Sequence, residues 1–155
     1  IRQKSLALPG VVALTHLVHR LGGYVSLVSN RDGSYRDASG STLAATIANL
    51  KQQNIVFDQV ILANYKTSQH PSDKNPRFNA VIYGHYDSHE MVWSKRLPPH
   101  QVIAYFGDNI QDFPRFKQAA VDALPDDSKT YEVFGAGYFI LPNPMYGSWE
   151  ANRYH

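Results

Sequence analysis

An open α/β sheet, mainly parallel and flanked by helices, is the fold class this sequence predicts. Helical and strand patterns alternate along the chain, which is the signature of βαβ connections with right-handed crossovers. The strand patterns are short continuous apolar runs, as expected of strands covered on both faces. At roughly 100 to 200 residues per domain, a chain of 155 residues predicts one domain, here spanning 1–155. Hydrophobic residues at 43% and charged residues at 18% fall near the averages for soluble globular domains, far from those of a disordered chain.

Between Pro9 and Leu21, the residues Val11, Leu14, Val18 and Leu21 form a helical stripe with Val12 and Leu17 beside it. Pro9 suits the first turn, and Gly22-Gly23 supply the stop. The run "YVSLVS", Tyr24 to Ser29, follows as a buried parallel strand. After the polar loop "NRDGSYRDASG", the segment "STLAATIANLKQQN" carries Leu43, Ala44, Ile47, Ala48 and Leu50 on one face, with Ser41 or Thr42 as its cap. "VFDQVILAN" contains a strand at Gln59 to Ala63, and "NPRFNAVIYG" a short helix with Pro76 near its start. Residues 84–100 lead through Pro98-Pro99 into the strand "QVIAYFGD". A helix from about Arg115 to Leu124, the linker "PDDSK" and a last apolar run, "YFILPNP", complete the series. In open α/β sheets the chemistry sits beyond the carboxyl ends of the strands, where Ser29 and Asp108 both fall.

The net charge of +2 and pI near 8.8 come from scattered Lys and Arg, with no run of five like charges. A nucleic-acid partner is therefore not expected, and a mildly basic surface suits a small anionic substrate. The absence of Cys excludes disulfides, thiolate metal sites and a cysteine nucleophile. No stretch approaches the ~18 consecutive apolar residues of a membrane span. The first residue is Ile1 and not Met, so any targeting segment is expected to lie upstream.

"FGDNIQDF" places Asp108 at a strand's end and Asp112 four residues on, with the amide of Asn109 between them. This is a hard-oxygen constellation that fits Mg2+, which commonly takes only one or two protein carboxylates and completes its shell with water. The competing reading makes Asp112 a cap of the following helix and Asp108 an ordinary strand-end acid, and spacing alone leaves the two even. "LVSNRD" sets the Ser29 hydroxyl, then Asn30 and Arg31, at another strand end, where a hydroxyl and backbone N–H groups can meet an anion. "SDKNPRF" sets Lys74 just before a short helix, where an ammonium can neutralise phosphate oxygens. His85 and His89 have the i, i+4 spacing of a zinc pair but no third ligand, and read as exposed surface. His16 and His19 read as hydrogen-bonded neighbours of the core.

Taken in order, "VSNRD", "SDKNPRF", "YFGDNIQDF" and "ILPNPMYGSWE" resemble the class C acid phosphatases of the haloacid dehalogenase superfamily. The resemblance runs from about Pro9 to Glu150 and is nearest to the bacterial outer-membrane lipoprotein e group of 5′-nucleotidase-type phosphatases. It implies a HAD-like, Rossmann-like sheet, Mg2+ as cofactor, and a small phosphate ester such as a nucleoside monophosphate as substrate. By the same resemblance, Ser29 holds the substrate phosphoryl group with Asn30 and Arg31 beside it. Lys74 balances charge on nucleophile and phosphate, with Lys66 the alternative because the insertion "QHP" makes this loop's alignment ambiguous. Asp108 is a metal ligand, Asp112 the second acid that positions metal-bound water, and Tyr146 stacks on a nucleoside base. The resemblance also implies an exported, periplasmic or outer-membrane lipoprotein, touching a membrane only through a lipid anchor outside these residues. A homo-oligomer is left open.

One departure stands out. The family works through an Asp-x-Asp-x-Thr motif after its first strand, whose first Asp attacks phosphorus and whose second is the general acid and base. Neither "PDDSK" nor "HYDSHE" matches it. The expectation is an N-terminally incomplete phosphatase domain without its central first strand, inactive alone because its nucleophile lies outside this chain. The alternative is a non-catalytic phosphate- or nucleotide-binding module that has lost that strand. In either case the strands at 24–28 and 102–106 should pair directly or leave a slot between them.

Overall fold

The computed structural model describes residues 6–141 and 143 and is α/β throughout. The chain divides into two compact units, 1–100 and 101–155. The first contains α1 (Val11–Arg20), β1 (Ser26–Asp32), β2 (Arg36–Asp37), β3 (Gly40–Ser41), α2 (Thr42–Gln52), β4 (Gln59–Ala63), α3 (Asn75–Tyr83) and β5 (Met91–Trp93). The second contains β6 (Tyr105–Gly107), a 3-10 turn at Ile110–Asp112, α4 (Gln118–Val121), a 3-10 turn at Lys129–Val133 and β7 (Tyr138–Ile140).

In the first unit the strand order is β1-β4-β5, with β1 parallel and β5 antiparallel to β4. All five residues of β4 are buried, which explains why its sequence reads as an apolar run rather than an alternation. Ile61, Ala80 of α3 and Met91 of β5 form the core cluster, packed round by Val28, Val81, Tyr86 and Trp93. Buried Gln59 fits this strand because its amide is satisfied on both sides. Its Nε2 donates to Ser26 Oγ at 2.8 Å and its Oε1 accepts from the Tyr86 hydroxyl at 2.8 Å.

Local chemistry sets the element ends. Ser41 caps α2, its hydroxyl accepting the Ala44 N–H at 3.2 Å. After α1, Gly22 takes the left-handed conformation, φ 79°, that stops the helix. β1 begins two residues later than the apolar run predicts, because Val25 is engaged by Asp58, whose Oδ2 accepts the Val25 N–H at 2.8 Å. It also runs past Ser29, through a register break in which Ser29 pairs with Leu62 but Asp32 pairs with Ala63. Gly33 follows, where a Cβ would lie 2.9 Å from those of Leu62 and Val92, so only glycine lets the chain cross the sheet there.

Aromatic rings build the second unit. β6 runs parallel to β7, and Phe113 packs against Phe134 and Tyr138 with ring centroids 5.0 and 5.2 Å apart. The strand expected at 102–106 pairs only over Tyr105–Gly107. The helix expected from Arg115 is the single turn α4, since Arg115 itself is left-handed at φ 68°. β1 and β6 lie in separate sheets, so among the described strands the direct pairing allowed by the sequence does not occur. β5 was not foreseen, being three residues long. Among the described residues no helix is long and apolar enough to cross a membrane.

Because Ile61 is fully buried between α3 and β5, Ile61→Ala should cost about 2–5 kcal/mol of stability. Chemical denaturation should show this as a lowered midpoint.

Candidate functional site

The register break in β1 is the first element of the site. Two residues, Asn30 and Arg31, are interposed between the Ser29 and Asp32 pairings, and such irregularities re-aim side chains at a strand's end. Ser29 closes the break locally, its Oγ accepting the Arg31 N–H at 3.2 Å. Arg31 is exposed and reaches Thr46 Oγ1 of α2 at 3.4 Å, while Asp32 Oδ1 accepts the Ser34 N–H at 2.9 Å. Ser29 and Arg31 also line a cavity of about 280 Å3, whose walls are mixed: Leu27, Leu50, Val60 and Leu62 on the apolar side, Thr46, Asn49 and Gln53 on the polar one.

Asn30 ties this strand end to the segment before α3. Its Nδ2 donates to the Ser72 carbonyl at 3.0 Å, and its Oδ1 accepts from the Arg77 guanidinium. Arg77 is 1% exposed, and its Nη1 donates to the Pro71 carbonyl at 3.2 Å. Burial pulls its pKa below the ordinary arginine value, and the carboxylate of Asp73 pulls the other way. Lys74 is the N-cap of α3, half-buried, two residues beyond the carbonyl that Asn30 holds. Lys66 is exposed on the loop after β4, with its backbone N–H donating to Asn64 Oδ1 at 3.2 Å.

In the second unit, Asp108 directly follows β6. Asn109 and Asp112 form a capping box: Asn109 Oδ1 accepts the Gln111 N–H at 3.0 Å, and Asp112 Oδ2 accepts the N–H groups of Asp108 and Asn109 at 3.0 and 3.1 Å. Gly107 makes this turn possible. A Cβ there would lie 2.7 Å from Asp112 Oδ2 and 2.9 Å from its Cγ, so the glycine admits the carboxylate beneath the strand end. Asp108 Oδ2 accepts a hydrogen bond from Asn143 Nδ2, a partner the sequence signals only as part of "LPNP". Among the described residues no group of three or more His, Cys, Asp or Glu side chains could hold a metal by itself. The two carboxylates on the turn are hard donors, however, and suit Mg2+, which needs few protein ligands.

Ser29, Asn30, Arg31 and Lys74 thus fall in the first unit, and Asp108 and Asp112 in the second. Tyr146 lies outside the described residues. His85 and His89 are exposed, as expected, and His16 and His19 are engaged, His19 Nε2 lying 2.8 Å from Asp58 Oδ2.

Polar chemistry gathered at the carboxyl ends of strands is the arrangement of an open α/β-sheet protein. The family described as HAD superfamily, subfamily IIIB (Acid phosphatase), matches residues 2–149, nearly the whole chain. The chain belongs to this family of phosphatases, whose substrates are phosphate esters. No solved structure matches the chain.

Gly107→Ala should destabilise the second unit by about 1–3 kcal/mol, the usual cost of forcing an added methyl into a packed site. Near-ultraviolet circular dichroism, which reads the aromatic cluster there, should show the loss on heating.

Proposed function

We propose that these residues form part of a Mg2+-dependent acid phosphatase of 5′-nucleotidase type, acting on nucleoside monophosphates or similar small phosphate esters. The observation that carries this reading is the 107–112 turn, where glycine, amide and two carboxylates are fixed directly after a strand. Asp108 and Asp112 would hold Mg2+, which supplies positive charge to the transferring phosphoryl group. Asn143 orients Asp108 by its amide, a role usual for groups that hydrogen-bond a ligating carboxylate. The Ser29 hydroxyl, whose oxygen accepts the Arg31 N–H, is suited to orienting a phosphoryl oxygen through its own O–H.

Lys74 is the preferred charge-balancing lysine. It stands at the positive end of α3, where ammonium and helix dipole together favour an anion, and its loop is tied to the Ser29 strand end through Asn30. Lys66 instead stands exposed on the loop after β4. Tyr146 is assigned to stacking on the base, a use of its ring face that is chemically reasonable.

The nucleophile is proposed to come from outside these 155 residues, because no Asp-x-Asp-x-Thr occurs in them. It would attack phosphorus as an aspartate and give an aspartyl-phosphate that water then cleaves. The edge of β1 away from β4 has no partner among the described strands, which supports a further strand beside it. The same absence of a nucleophile favours a second reading, a phosphate- or nucleotide-binding module without catalysis. An exported lipoprotein setting belongs to the first reading only.

The 155-residue chain should not hydrolyse p-nitrophenyl phosphate, whereas an upstream-extended protein should, and EDTA should abolish that activity. Hydrolysis by the short chain would refute an external nucleophile, and an inert extended protein would leave the binding module. In the extended protein, Asp108→Asn should weaken the apparent Mg2+ affinity by about 100-fold, the upper end for groups that tune a metal site. An unchanged Mg2+ titration would move the metal elsewhere.

A further inference from the structure

We propose that Arg77 is a positioning residue: with Asn30 it clamps the β1 strand end to the loop of Lys74, fixing the ammonium relative to the Ser29 hydroxyl. The proposal rests on the phosphatase reading for its catalytic consequence and on the geometry for the clamp itself.

The hydrogen bonds leave one consistent arrangement. Arg carries donors only, so the Asn30 atom facing Arg77 is its oxygen, and the amide nitrogen is left to donate to the Ser72 carbonyl at 3.0 Å. One guanidinium meanwhile holds the Pro71 carbonyl at 3.2 Å. Two successive carbonyls of one strand of chain, Pro71 and Ser72, are therefore bound by one interlocked pair of side chains. Two residues on is Lys74 and one residue back from Asn30 is Ser29. The Asn30 side chain serves this bridge, so its contribution to the site is made through position.

The setting of Arg77 points the same way. A guanidinium that is 1% exposed is costly to bury, and among the described residues its Nε has no hydrogen-bond partner. Neither an apolar residue nor a lysine would reproduce its work. A lysine offers a single ammonium, which lacks the planar fork needed to meet a carbonyl and an amide oxygen in different directions. A merely structural core position here would be filled more favourably by a hydrophobic side chain.

The test uses the full-length protein and four variants: Arg77→Lys, Arg77→Met, Asn30→Ala and the Arg77→Met/Asn30→Ala double. Per folded molecule, each single variant should lower kcat for p-nitrophenyl phosphate by about tenfold or more, since small displacements of a catalytic group have effects of this size. The apparent Mg2+ midpoint should stay unchanged. The double variant should be no slower than the worse single, as expected of two residues acting as one unit, and Arg77→Lys should not rescue. Asn30→Ala keeps the test open if the Arg77 variants fold poorly, because it breaks the clamp from its less buried end. Selective labelling of Asn30 adds a readout independent of activity: its side-chain amide protons should exchange faster with solvent in Arg77→Met. Unchanged kcat in folded variants, or additive losses, would overturn the positioning role, even if stability fell. Absence of hydrolysis by the wild type would instead overturn the phosphatase reading, and unchanged Asn30 exchange would then remove the clamp as well.

Discussion

Strand β4 has no exposed residue, and the first unit is arranged around that constraint. A strand of five buried residues must have its backbone groups paired on both edges and its side chains covered on both faces. β1 and β5 pair the edges, and α3, through Phe78 and Ala80, is among the elements that supply buried cover. The parallel register with β1 fixes Ser29 opposite Leu62, one residue short of the end of β4. The chemistry of the strand end therefore begins where the core stops, and the register break after Ser29 is the point at which pairing gives way to a loop that can face an anion.

What the sequence made legible follows from how local the cause is. Ser41 capping α2, Pro76 opening α3 and β4 as an apolar run are all decided within a few residues, and all appear where the pattern places them. β5 and the short β6 depend on partners 28 to 33 residues away, and three residues carry too little periodicity to announce themselves. The break in β1 has no sequence mark, because it arises from pairing with β4 and from the closeness that Gly33 permits.

The candidate site divides along the same line. Ser29, Lys74, Asp108 and Asp112 could be nominated from sequence because the chemistry proposed for them is carried by residue type and by position after a strand or before a helix. Asn143 and Arg77 were not. Asn143 matters through a hydrogen bond to a carboxylate 35 residues earlier, and Arg77 through burial against an amide 47 residues earlier. An arginine in a helix's first turns reads from sequence as a solvated surface charge, and only the packed structure shows it closed off from water.

The turn role of Asp112 is compatible with the reactive role proposed for it. The sequence set a cap of the following helix against a metal-binding acid, and the structure shows a different cap: Asp112 closes the box of its own 3-10 turn, its Oδ2 accepting two backbone N–H groups, while Lys117 is the N-cap of α4. Those donors belong to Asp108 and Asn109, so the cap fixes the backbone from which the Asp108 carboxylate projects. Through Oδ2, Asp112 acts on Asp108 by way of the turn. Gly107 ties the two together, since any side chain there would displace Asp112 and, with it, the N–H groups that Asp112 holds. The GDNxxD spacing is thus accounted for by a capping box, whatever else the turn holds: three residues from Asn109 to Asp112 close the box, and glycine gives the returning carboxylate its room.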